Sequence, residues 1–193
     1  MQGSSNCHSF FGGLESRQWT KKANNVIKYI DRQETINRYK REHERLKKLA
    51  SSLPEERVLK PRTLGEWSIK DIISHLAAWN WEAIDEVDRV LNNKAIWPAR
   101  YEDRAGEDEF NKREVERRKD KSWQEVLKDW NDSFWAQIKR MEKLTEDEWK
   151  HQSGNQFWSD GTPVTVYSLF AYEYEGEGHE GGHAKQIKEV LNL

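Results

Sequence analysis

Three of the six histidines are spaced so that their side chains can act on one ion. His179 and His183 are four residues apart. On a helix they lie about 40° apart around the axis and one turn along it, so two imidazoles face the same point. This is the spacing of helical zinc pairs. His75 follows Ile72 and precedes Leu76 and Trp79 on an apolar stripe, so it points into the interior that such a pair would face. Three neutral imidazoles in a dry interior suit Zn or Ni, with Fe, Co or Mn as the other divalent choices. They leave coordination positions open for water or a small-molecule substrate. His8, His43 and His151 fall in a tail, a charged stretch and a polar connection, and no role is expected of them.

The residues around the pair add candidates. His179-Glu180-Gly-Gly-His183 matches H-E-x-x-H, in which Glu180 would be the general base of a metallopeptidase. Such enzymes take a third ligand from downstream, where Glu189 is the sole carboxylate, so an upstream His75 fits better and the peptidase is a remote alternative. Glu180 and Glu175 are the candidate catalytic bases, and Asp71, one turn before His75, is a candidate orienter. Trp79 and Asn111 are the candidate substrate contacts. Gly176, Gly178, Gly181 and Gly182 each cost about 1 kcal/mol against alanine inside a helix. Either coordination offsets that weakness and small residues admit a ligand, or the helix breaks here and the spacing argument fails.

These side chains need long elements to carry them. Ile36, Tyr39, Leu46, Leu49 and Leu53 recur at helical intervals from about Glu34 until Pro54, which predicts a first helix. Ser68-Ile-Lys-Asp71 is a capping box that opens a second, with a stripe from Ile69 to Leu91 that includes His75. Residues 94–121 interleave acids and bases and read as a solvated crossover. Ser122-Trp-Gln-Glu125 opens a third long helix with the stripe Trp123, Val126, Trp130, Phe134, Ile138 and Met141. Thr145-Glu-Asp-Glu148 caps a short helix, and Ser153-Gly154, Asp160-Gly161 and Thr162-Pro163 mark a long connection or small hairpin. A fourth long helix is expected over about Val164 to Leu193. Four amphipathic helices without a credible set of strands give an all-α, antiparallel four-helix bundle.

Bulk properties restrict the rest. A length of 193 residues suits one domain, and ten tryptophans, six tyrosines and six phenylalanines offset a charged fraction of 34%. Residues 1–33 are expected to be a mobile N-terminal extension and residues 34–193 the domain. Net charge is −2 with mixed signs, which gives no electrostatic footprint for nucleic acid or an anionic membrane, so neither partner is expected. No apolar run approaches the roughly 18 residues of a membrane span, and the default location is cytoplasmic. Cys7, the single cysteine, reads as a tail thiol.

Gly65-Glu-Trp67-Ser68-Ile-Lys-Asp71-Ile-Ile-Ser-His75-Leu-Ala-Ala-Trp79, then Glu109-Phe110-Asn111, and finally His179-x-x-x-His183-x-x-Gln186-Ile187 resemble, in order and spacing, the DinB/YfiT-like superfamily. The resemblance runs from about Glu34 to the C-terminus. It implies an up-down-down-up bundle in which His75, His179 and His183 bind nickel, zinc or a similar ion, and it implies a homodimer. Several relatives are thiol-dependent transferases or isomerases, so a low-molecular-weight thiol is an implied cosubstrate. The glycine-rich stretch and the extended N-terminus depart from the family pattern.

The leading expectation is therefore a metal-dependent enzyme acting on a small electrophilic molecule by S-transfer, isomerisation or hydrolysis, its ion lowering the pKa of a bound thiol or water. The rival is a non-catalytic protein of the same fold that binds or sequesters a small molecule.

Overall fold

The computed structural model describes residues 28–96, 104–158, 161–171, 173 and 176–193. Helix α1 is Arg32–Ser52, a short α2 is Glu55–Val58, and α3 is Ile69–Leu91. Helix α4, Arg104–Glu116, lies in the crossover to α5, Trp123–Glu142, and α6 is Glu146–Lys150. Strands β1, Gln152–Phe157, and β2, Pro163–Thr165, pair antiparallel, a 3₁₀ turn covers Tyr167–Phe170, and α7 is His179–Leu191.

Helices α1, α3, α5 and α6 begin where a local side chain takes an orphan amide. Asp31 accepts from the amide of Glu34 in α1, and Ser68–Asp71, Ser122–Glu125 and Thr145–Glu148 all form reciprocal capping boxes. Helix α1 therefore opens at Arg32 rather than Glu34, and the chain before it is tied down: the Trp149 indole N–H donates to the Ile30 carbonyl at 2.9 Å. The rest of the expected extension, residues 1–27, lies outside the described residues.

Contacts at the helix ends give the direction of each. Arg32, at the start of α1, donates to the carbonyls of Met141 and Glu142 at the end of α5 and of Leu144 just beyond it, so these two helices run antiparallel. Arg140 pairs with Asp88 at 2.7 Å, which brings the last turns of α3 and α5 together and makes them parallel. The crossover carrying α4 is the chain length that this arrangement requires. Helix α7 packs along α1 and α3, with Ala184 and Ile187 buried among Leu46, Leu49, Ile72 and Leu76. The order is up-down-down-up.

The fourth helix is shorter than its stripe suggests. Val164, Val166 and Phe170 are buried, but from β2, the following residue and the 3₁₀ turn. Gly176 then takes a φ of +81°, a left-handed conformation that ends any helical run before His179. Tyr172 lies outside the described residues.

The apolar core has two parts. One gathers Leu46, Ile69, Ile72, Leu76, Trp123 and Ile187; the other gathers Ile36, Val87, Phe134, Met141, Trp149 and Phe170. A polar cluster from four helices is buried alongside them: His43, Asn80, Ser133 and Glu180. The His43 ring stacks on Phe134 at 3.7 Å between centroids and lies 4.4 Å from Trp130.

Candidate metal centre

Helix α3 and the first turn of α7 bring His75, His179 and His183 together, with one ligating nitrogen from each lying within 4.8 Å of the others. Nε2 of His75 is 3.0 Å from Nε2 of His179, and the ring centroids of all three are 5.0–5.3 Å apart. His75 and His183 are buried and His179 is half-buried.

The tautomer of His75 follows from its neighbours. Trp79 Nε1, which can only donate, gives its proton to Asn111 Oδ1 at 2.8 Å, so that atom is the amide oxygen. The same oxygen is 3.0 Å from His75 Nδ1, which must then carry a proton and donate it. The lone pair of His75 is left on Nε2, the atom aimed at His179. His183 Nδ1 makes the matching contact with Gln186 Oε1 at 3.0 Å. Outer hydrogen bonds of this kind orient imidazoles at metals.

Burial and mutual proximity keep the three rings neutral. Burial, then the adjacent imidazoles of His179 and His183, holds His75 well below the usual imidazole range. Burial and His183 do the same for His179, and burial pushes His183 down to about 4. At neutral pH the cluster presents lone pairs without a proton to displace, which suits a divalent cation. The donor set is all-imidazole, as zinc and nickel accept.

Aromatic rings line one flank. Trp67 lies 5.2 Å and Trp79 6.2 Å from His75, and Phe110 packs against Trp79 at 4.7 Å. Asn111 is buried, and its Oδ1 holds His75 and Trp79. Asp71 is spent on the α3 capping box and does not orient His75.

Glu180 is not beside the ion site as a base. Its Oε1 accepts from Trp130 Nε1 at 2.7 Å and from Asn80 at 3.4 Å, and its Oε2 is 2.9 Å from His43 Nδ1. One residue on from His179 turns the side chain about 100° around the helix, into the buried polar cluster. The H-E-x-x-H reading loses its base for this reason. Glu175 lies outside the described residues. His43, given no role above, is fully buried; it shares the inward stripe of Ile36, Tyr39 and Leu46, and that spacing was the available signal.

A second buried carboxylate also meets α7. Glu42, from α1, accepts from the amides of Gly178 at 2.8 Å and Gly181 at 3.2 Å. Burial raises its pKa, against the lowering effect of those amides. On the outer side Arg45 grips Glu177 with both terminal nitrogens, at 2.9 and 2.5 Å.

Fold and site together define a helical bundle with a three-imidazole centre between its second and last long helices. Residues 38–187 match the DinB superfamily, and the chain belongs to it. No curated protein matches the chain in sequence. Among solved structures it is similar to the colibactin self-resistance protein ClbS in complex with dsDNA. The TM-score is 0.64 at 13% identity, over 84% of this chain and 96% of that one.

These comparisons correct two expectations. A metal-dependent enzyme acting on an electrophile is not what they support, since the similar fold is that of a self-resistance protein. The exclusion of nucleic acid, which rested on net charge, also falls, because that protein was solved with duplex DNA bound. No helix among the described residues is long and apolar enough to cross a membrane.

Proposed function

We propose that the chain is a cytoplasmic small-molecule binding or sequestration protein that holds its ligand at a divalent ion, zinc or nickel, on His75, His179 and His183. The observation that carries this is the convergence of three unprotonated imidazoles whose ligating atoms lie within 4.8 Å of one another. When bound, the ion supplies Lewis acidity and open positions for a donor atom of the ligand. Asn111 and Gln186 hold the rings of His75 and His183, while Trp67 and Trp79 offer apolar faces to the remainder of the ligand. Glu180, the carboxylate next to the ligand pair, is committed to Trp130 and His43, which favours holding over turnover.

Elemental analysis of protein purified without a histidine tag tests the first half: about one ion per chain in wild type, lost in His75→Ala. The second half is read by equilibrium dialysis of the metal-loaded protein against a panel of small thiols and electrophiles. Metal-dependent retention of an unaltered compound, absent in His183→Ala, is expected. Recovery of a converted product would contradict the reading.

A second reading, contact with double-stranded DNA, is favoured by the complex in which the similar structure was solved. The basic side chains suited to phosphates are Lys112, Arg113, Arg117 and Lys119, exposed on and after the end of α4. Glu114 and Glu116 pair with three of them, so phosphates would have to displace carboxylates. Binding is then sequence-independent, with a Kd of about 10⁻⁴–10⁻⁶ M that weakens with salt. Fluorescence anisotropy of a labelled duplex at two salt concentrations measures it, and a flat titration rejects it.

A further inference from the structure

We propose that Glu42 is the positioning residue of the histidine centre: its carboxylate, delivered from α1, fixes the rotation of α7 so that His179 and His183 face His75. The inference rests on those histidines being the ligand set proposed above.

Helices α1, α3, α5 and α6 are each capped by their own Asp31, Ser68, Ser122 or Thr145. The N-cap of α7 is Gly178, which has no side chain to cap with, and the helix takes its acceptor from another helix, 136 residues earlier. A local cap satisfies amides but adds no bond between one helix and another. A carboxylate anchored on α1, with one oxygen on the Gly178 amide and the other on the Gly181 amide, fixes both the height and the rotation of the first turn. His179 lies between those two amides.

The glycines are what allow this approach. A Cβ on Gly178 would stand 2.6 Å from Glu42 Oε2, and one on Gly181 would stand 2.5 Å from Glu177 Oε2, 2.8 Å from an Arg45 terminal nitrogen and 2.9 Å from Glu42 Cδ. A side chain at Gly178 would push the carboxylate off the helix, and one at Gly181 would crowd it together with the Arg45–Glu177 pair. Gly178 and Gly181 thus serve the docking of a buried acid, and the weak helix propensity they bring is offset by bonds from outside the helix. Arg45, one turn further along α1, holds Glu177 and closes the outer side of the same joint.

The test compares Zn²⁺ affinity, by chelator competition, in wild type, Glu42→Gln, Glu42→Ala and Ile36→Ala, the last a core truncation at the far end of α1. Urea unfolding of each metal-free protein is measured alongside. Glu42→Ala is expected to lose zinc affinity by about 10–100-fold, as for other partners that orient metal ligands. Glu42→Gln, which keeps one acceptor oxygen, should lose less, and Ile36→Ala should lose stability while binding zinc as wild type does. The proposal is overturned if both Glu42 variants keep wild-type affinity, or if Ile36→Ala loses as much. Should Glu42→Ala not fold, the isosteric Glu42→Gln decides. Absence of zinc uptake by wild type would overturn the ligand assignment instead. Glu42 is then judged by amide hydrogen exchange at residues 179–183, which must accelerate in Glu42→Gln relative to Ile36→Ala.

Discussion

Replacing Asn111 by leucine removes one oxygen and strands two donors. Asn111 Oδ1 accepts from His75 Nδ1 at 3.0 Å and from Trp79 Nε1 at 2.8 Å. A buried donor left without a partner costs about 1–3 kcal/mol, and the half-buried Trp79 recovers part of its share from water. The metal-free protein should therefore lose about 2–4 kcal/mol, which for a chain of this size lowers Tm by about 4–16 °C. Metal affinity should fall as well, by about 10–100-fold, because His75 loses the contact that keeps its lone pair on Nε2. Asn111→Asp keeps an acceptor at the same place and should restore most of the affinity. Calorimetric unfolding of the metal-free forms and chelator competition with Zn²⁺ give the two numbers separately. An Asn111→Leu protein that binds zinc like wild type would refute the tautomer argument, whatever its stability.

Acid should weaken both folding and metal binding. The folded-state values of His75, His179 and His183 lie below the ordinary imidazole value of 6.5, so the unfolded chain takes up protons that the native cluster refuses. Stability of the metal-free protein should be flat above about pH 7 and fall as pH drops from 6.5 toward 4, as urea titrations at several pH values would show. Adjacent glycines should respond oppositely. Gly182→Ala meets nothing within 4 Å and should stabilise by up to about 1 kcal/mol, whereas Gly181→Ala crowds Glu42, Arg45 and Glu177 and should cost about 1–3 kcal/mol. Equilibrium urea unfolding of the pair measures both. Trp130→Phe removes the shortest bond to Glu180 and should cost about 1–3 kcal/mol while leaving metal stoichiometry at wild type, checked by unfolding and elemental analysis.

The long helices and the histidine triad were legible because they obey local rules. Ser68, Ser122 and Thr145 announce helix starts within four residues of chain, and the apolar period carries His75 inward. The fourth helix was over-extended because Val164, Val166 and Phe170 are as buried as helical stripe residues while coming from a strand and a turn. Periodicity over so few residues cannot separate these cases. The surroundings of Glu180 are hidden for a related cause: its neighbours in sequence are the paired histidines, but its partners Trp130, Asn80 and His43 come from three other helices. Glu42 was not legible at all, since an acid in a charged helix looks solvated until the glycines opposite it are placed. Asn111 was picked out, yet its task, holding the His75 tautomer, depends on the Trp79 indole that identifies its oxygen.

The joint between α1 and α7 has a consequence for the order of folding. Its bonds connect residues 132–139 positions apart, so the chain closes a very long loop before they form. Contacts of that span are expected late, after α3 and α5 have found each other, and so contribute little to the rate-limiting step. Weakening Glu42 or Arg45 should then leave the refolding arm of a chevron plot in place and lift the unfolding arm by raising the unfolding rate. A ligand that clamps α7 to α3 would act on that same rate, prolonging the lifetime of the native chain rather than hastening its formation.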